Sequence, residues 1–147
     1  MADPRVPQGN LNRIKASLVW NDFPDLNITP SFLAREMFTL AFEGEATTVI
    51  PTGTGLVNSP EPFQAIMVTA VLLKTQALCQ AYETQRLTNT LLGNGTIYPD
   101  VSSGGLEPYA MINMSIRNVP ELTFRGEDAN YRITFGGYYI INSALWN

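Results

Sequence analysis

Residues able to do chemistry are few in this sequence, and their spacing gives them little to do. No histidine occurs, which removes the usual general base, the Ser-His-Asp and Cys-His arrangements and most zinc sites together. Cys79 is the single cysteine. It lies inside an apolar pattern, so it reads as a small buried hydrophobe, and no intrachain disulfide can form. Carboxylates remain, because two at the right separation run glycoside hydrolysis without histidine. Glu43 and Glu45 flank a glycine, and Glu127 and Asp128 follow Gly126, so both pairs read as solvated turn residues. No spacing resembles an EF-hand loop. The expectation is a protein with no catalytic residue, no metal and no cofactor, and therefore no enzyme.

Two other constellations fail on inspection. Thr52-Gly53-Thr54-Gly55 superficially suggests a phosphate cradle, but Leu56-Val57-Asn58 and a Pro-rich stretch follow where a P-loop needs Lys, Ser or Thr and a helix. Tyr131, Tyr138, Tyr139 and Trp146 could stack on bases or sugars. A nucleic-acid platform needs a basic groove, however, and the chain carries 13 acidic against 9 basic residues, net −4, with no basic run. Strand packing is the simpler reading of those aromatics.

The elements that would position any site follow from periodicity. The 147 residues fit one domain, 1–147, large enough for a core without staples. Residues 1–11 read as an extended N-terminal arm, and their polar, Pro-bearing sequence predicts neither a leader nor a membrane span. Residues 12–21 alternate as a half-buried strand with Ile14, Ala16, Leu18 and Trp20 on one face. Residues 36–42 alternate Phe38, Leu40 and Phe42 against Met37, Thr39 and Ala41, and Glu43-Gly44-Glu45 predicts a hairpin returning through residues 47–50. Residues 51–62, with three prolines and two glycines, read as a long protruding loop.

Residues 63–73 are apolar on both faces, as a strand needs only when both are covered, by the chain or by a partner. Over residues 75–92 the period changes: Leu78, Ala81, Tyr82, Gln85 and Leu92 share a stripe, with Thr75 as cap and Gly93-Asn94-Gly95 as stop. A short strand at 96–99, a turn region at 100–105, and strands over 106–119, 121–124 and 131–141 complete the reading, with Gly136-Gly137 marking a bulge. The fold class expected is mainly β (α+β), an antiparallel sandwich or barrel with one flanking helix at about 75–92. Charged residues are only 15% of the chain, well below the quarter usual for soluble domains, so self-association is expected.

Four stretches carry a resemblance: LNITPSFLAREM, TVIPTGTGLVNSPEPF, VLLKTQALCQAYE and FRGEDANYRITFGGYYIINSALWN. In this order they resemble tail tube proteins of contractile-tailed bacteriophages, from about Ala16 to the C-terminus. The resemblance implies a structural virion protein assembled in the host cytoplasm, with hexameric rings stacked into a hollow tube that conducts DNA. Its implied partners are further copies of itself and sheath, baseplate and tail terminator proteins, with transient DNA passage and no membrane insertion.

Thr52, Gly53, Thr54, Gly55, Leu56, Val57 and Asn58 match the family's inter-ring stacking loop. Lumen candidates are Thr39, Ala41, Glu43, Glu45 and Thr47, the smaller and more polar face of the expected 36–50 hairpin; an acidic bore repels DNA phosphates and lets the duplex slide. Leu145 and Trp146 are candidate interface anchors. Competing expectations are a tube or ring protein of a related injection or secretion system, a tail terminator forming one ring, a small-molecule-binding β-barrel with Phe135, Tyr138 and Tyr139 at its mouth, and an acid-only glycosidase.

Overall fold

A computed structural model of the chain describes residues 16–99 and 107–146. The N-terminal arm, the start of the first predicted strand, the 100–105 turn and Leu106 lie outside the described residues. Among the described residues the elements are β1 (Ser17–Trp20), β2 (Leu33–Glu43), β3 (Thr47–Pro51), β4 (Leu56–Pro60), β5 (Phe63–Leu73), α1 (Ala77–Thr88), β6 (Leu91–Tyr98), β7 (Tyr109–Asn118) and β8 (Asn130–Ile140), with short 3-10 turns at Pro24–Leu26, Pro30–Phe32 and Ser143–Trp146. The fold is mainly β with one helix, an antiparallel curled sheet forming a half-barrel.

Six strands form the sheet in the order β1-β6-β7-β8-β5-β2, and β3 and β4 form a separate two-stranded sheet. Alternation decides which side faces in. Ile66, Val68, Ala70 and Leu72 of β5 are buried, and with Ile133 and Phe135 of β8 and Met111, Met114 and Ile116 of β7 they line the concave side. The β7 and β8 positions lie in segments that alternate in the sequence, because burying one face of a strand demands period 2, whereas those of β5 lie in a run that is apolar on both faces.

Helix α1 closes this concavity, burying Leu78, Cys79 and Tyr82. Tyr82 donates its hydroxyl to the Leu26 carbonyl and accepts the Trp20 indole N–H at 3.0 Å, while Phe135 meets Trp20 edge-on at 5.3 Å and Tyr82 at 5.6 Å. Both polar atoms of this aromatic cluster are thus satisfied where water cannot reach them.

Several sequence expectations need correction. The helix spans Ala77–Thr88, with Gln76 and not Thr75 at its N-cap. It stops at Thr88 because Leu91 and Leu92 are taken by β6, where Leu91 pairs with Ser115 and Leu92 is wholly buried. Residues 121–124 are irregular, not a strand. Residues 47–50 do not return against β2; they pair with β4, Val49 opposite Asn58 and Ile50 opposite Val57, while β2 pairs with β5.

The bulge lies in β7, not at the glycines. Between Ile112↔Tyr138 and Ser115↔Gly136, three steps along β7 match two along β8, and Asn113 takes a left-handed φ of 54°. Gly137 is the space that permits it: a Cβ there would come within 2.3 Å of Met114 Sδ and 2.7 Å of the Ile112 oxygen. A second irregularity interrupts β2, where five steps from Leu33 to Phe38 match two along β5 and Met37 has φ 58°.

Candidate functional site

The sequence offered surfaces, not a catalytic centre, and the structure distributes them over distinct places. The largest is the β3–β4 ribbon. It continues the β2–β5 hairpin outward: β2 ends at Glu43 opposite Ala65, and the chain runs out through β3 and back through β4 before entering β5. All ten strand residues of the ribbon are exposed, including Val49, Ile50, Leu56 and Val57, of which Leu56 is 70% accessible.

Alternation sorts the ribbon into two faces, Thr48, Ile50, Val57 and Ser59 on one and Thr47, Val49, Pro51, Leu56, Asn58 and Pro60 on the other. Leu56 and Val57 therefore point to opposite sides. The tip is the Thr52–Gly55 turn, where the Thr52 N–H donates to the Gly55 oxygen at 2.8 Å and the Thr52 hydroxyl accepts the Gly55 N–H at 3.0 Å. So half of the predicted loop at 51–62 is strand, Pro51 and Leu56–Pro60, joined by a hydrogen-bonded four-residue turn. Prolines at its strand ends, Pro51 and Pro60, are tolerated because the ribbon has free edges.

The base of the ribbon is fastened by the C-terminus. Trp146 donates its indole N–H to the Pro62 oxygen at 2.8 Å, Asn142 Nδ2 donates to the Glu61 oxygen at 2.8 Å, and Gln64 Nε2 donates to the Gly44 oxygen at 2.8 Å. Trp146 and Leu145 remain about half accessible beside it.

The lumen candidates do not form one strip. Thr39, Ala41 and Glu43 lie opposite Thr69, Met67 and Ala65 on the convex side of the sheet, whereas Glu45 and Thr47 lie beyond the sheet, in the turn and at the start of β3. All five are exposed. Convex charge is mixed, since Arg132 stands opposite Val71 and the Arg117 side chain lies over Gly136. Both faces of β5 are apolar for different reasons: the concave one is buried, while Ala65, Met67 and Thr69 on the convex one are wholly or partly accessible.

The sheet edges differ. Leu18 of β1 exchanges two backbone hydrogen bonds with Ile28, and the Trp20 N–H donates to Asn27 Oδ1, which covers that edge. Among the described residues no strand pairs the far edge of β2.

The three aromatics named for a ligand-binding mouth do not come together. Phe135 is core, Tyr139 packs on Phe42 and Tyr109, and Tyr138 packs on Phe63 on the other side of the sheet, so these three do not share a mouth. One groove, of about 480 Å³, lies between Phe23–Leu26 and α1, and another, of about 400 Å³, is lined by Leu40, Phe42, Ile97 and Tyr109 beside Tyr139. Glu43, Glu45 and Glu127 are solvated. Glu83, which the sequence did not single out, is engaged: it accepts Arg86 at 2.7 Å and the Tyr131 hydroxyl at 2.5 Å. Those bonds, the one from Arg86 foremost, hold its carboxyl below the usual glutamate range. Cys79 is pushed up to about 11, mainly by burial, which keeps it a protonated thiol at neutral pH. Among the described residues no cluster of His, Cys, Asp or Glu could hold a metal, and no helix is long and apolar enough to cross a membrane.

Sheet, helix and ribbon together define a β half-barrel with a projecting uncharged arm. No family model matches the chain, and no curated protein matches it. A structure solved by cryo-electron microscopy, the tube-terminating cap of the anti-feeding prophage, shares the fold: TM-score 0.52 at 12% identity, covering 95% of this chain and 97% of that one.

Proposed function

We propose that this protein is a self-assembling structural subunit of a contractile tail or injection apparatus, forming hexameric rings that stack into a hollow tube whose lumen conducts DNA. The observation that carries the reading is the β3–β4 ribbon. A lone two-stranded ribbon is marginal in water, and this one shows apolar side chains on both faces with no charge from residue 46 to 60. It makes physical sense only when something covers it. Ring formation has its own support in the edge of β2, which no strand among the described residues pairs and which is a template for a neighbouring strand, and in the accessible small and apolar residues Ala41, Ala65 and Met67 beside it.

In this reading Thr52 to Asn58 stack on the adjoining ring, Glu43 and Glu45 bring negative charge to the bore, and Leu145 and Trp146 are interface anchors beside the ribbon base. Sheath, baseplate and terminator proteins are the partners, the virion is the location after assembly in the host cytoplasm, and the protein does no catalysis. Fold likeness to a tube-terminating cap favours a second reading, a terminator that closes a tube with one ring.

Negative-stain electron microscopy of the purified protein across a concentration series tests both. Hollow tubes support the tube subunit, isolated six-fold rings support the terminator, and monomers that stay monomeric when supplied with preformed tubes or baseplates defeat the two together. Within tubes, Glu43→Lys with Glu45→Lys is expected to hinder DNA delivery more than assembly; normal infectivity removes those residues from the bore.

A further inference from the structure

A second exposed apolar patch lies at the end of the sheet opposite the ribbon. β5 and β8 pair along their whole length, from Phe63↔Ile140 to Leu73↔Asn130. The ribbon leaves at the Phe63 end. At the Leu73 end, the connection between β7 and β8 carries Leu122, 40% accessible, and Phe124, 95% accessible.

That connection is irregular but its backbone is held. Lys74, the residue after β5, donates its ammonium to the Thr123 oxygen and to the Asp128 oxygen at 3.0 Å, and its N–H donates to the Ala129 oxygen at 2.9 Å. Asp128 Oδ1 accepts the Asn130 N–H at 3.0 Å. A phenylalanine almost wholly in water on a hydrogen-bonded backbone is a mounted anchor: the backbone share of its ordering cost is met before any partner arrives.

We infer that Leu122 and Phe124 form the seat for the β3–β4 ribbon of a second copy of this chain, so that copies join head to tail along the strand direction. The inference rests on the ribbon being an assembly element. Three features select this occupant. The two apolar patches sit at opposite ends of one sheet, and a contact between different patches is heterologous, the kind that repeats from copy to copy. A ribbon of five-residue strands reaches about 17 Å beyond the sheet, enough to overlap the end of the next subunit. Finally, the ribbon brings no charge to the contact, so seating it strands no ion beside Phe124, while Glu121, Arg125 and Glu127 stay at a wet rim.

Intermolecular cross-linking of the full chain tests this. Separately tagged Leu56→Cys and Phe124→Cys proteins, and Val57→Cys and Leu122→Cys as a second pair, are mixed under conditions where the wild type assembles and are then oxidised. Cys79 is buried and stays silent. The expected result is a disulfide-linked heterodimer in at least one mixture and none from any single variant. Self-linked Leu56→Cys or Val57→Cys shows ribbon meeting ribbon and overturns the seat. Assembled particles without a link in either pair also overturn it, while leaving the ribbon reading intact; a wild type that never assembles defeats both. Phe124→Asp is expected to leave the subunit folded and to raise the concentration needed for stacking by about thirtyfold or more, the loss typical of an aromatic hot spot. Stacking unchanged in that variant overturns the seat as well.

Discussion

The junction between α1 and β8 and the β3–β4 ribbon use side chains of similar apolarity, yet they finish in opposite states. At the junction Tyr82, Tyr131 and Phe135 are almost entirely out of water, and each buried polar atom has a partner. Along the ribbon Val49, Ile50, Leu56 and Val57 are each about half accessible or more. The first region completes the subunit by itself; the second is apolar surface left over. Residue type therefore does not separate core from exposed surface in this protein. What separates them is whether the chain supplies the covering surface.

The sharpest way to break that distinction is to charge the ribbon. Leu56→Asp with Val57→Asp places a carboxylate on each face and is expected to abolish stacking, leaving folded subunits or single rings, with stability changed by no more than about 0.5 kcal/mol because both sites are solvated. Electron microscopy and thermal unfolding of the same sample read the two effects. Long tubes from this variant would remove the ribbon from assembly, and a large drop in Tm would show that it belongs to the subunit's own packing.

The converse substitution lies in the junction. Phe135→Ala removes a ring in contact with Trp20 and Tyr82 and is expected to cost about 3–5 kcal/mol, lowering assembly only in proportion to the unfolded fraction. Chemical denaturation measures it. A cost under 1 kcal/mol would mean that this cluster relaxes as freely as surface.

A smaller effect is expected at the bulge. Gly137→Ala sets a methyl against the Ile112 oxygen, a backbone atom that cannot step aside, and overpacking of this sort costs about 1–3 kcal/mol. A neutral outcome would show that β7 shifts register at Asn113 without penalty.

Much of the half-barrel was legible because its strands are covered on one side. Tyr131, Ile133 and Phe135 announce themselves by period 2, whereas Ile66, Val68, Ala70 and Leu72 sit in a run apolar on both faces, which marks a strand without telling which side is buried. The helix was visible through Leu78 and Tyr82, but its end was not: Leu92 continues the 3.6-residue stripe by coincidence, and only pairing with the distant β7 assigns it to β6. The first strand of the ribbon was read as a strand but given the wrong partner, and the second was read as a loop because Pro51, Pro60 and two glycines conceal it. Its role as an exposed apolar excursion was nonetheless readable, since no charge occurs there. Phe124 was missed for the opposite reason. It sits in a segment that alternates like a strand, and only the grip of Lys74 on Thr123 and Asp128 turns that segment outward. Such a grip spans about fifty residues of chain, beyond the reach of any local pattern.

The finest distinction between the two regions is their response to pH. Glu83 has a depressed pKa, so the stability it contributes is present above the ordinary glutamate value of 4.5 and lost as pH falls through its lower folded-state value. Tyr131 and Tyr82 are raised, chiefly by burial, as is Cys79, to about 11. Their contributions are complete below the ordinary values of 9.0 for the thiol and 10.0 for the phenols, and fade as pH climbs past them. The junction is thus expected to show a Tm plateau that falls off on both sides. The ribbon holds no titratable group between residues 46 and 60, so at pH values inside the plateau ribbon-driven stacking is expected to vary little. Glu83→Gln isolates the acid side: wild type and variant are expected to converge as pH drops, because protonation removes from the wild type what the substitution has already removed. Parallel Tm curves down to the lowest pH would show that the Arg86–Glu83–Tyr131 contact contributes nothing that titrates, and the acid limit would then belong to other carboxylates.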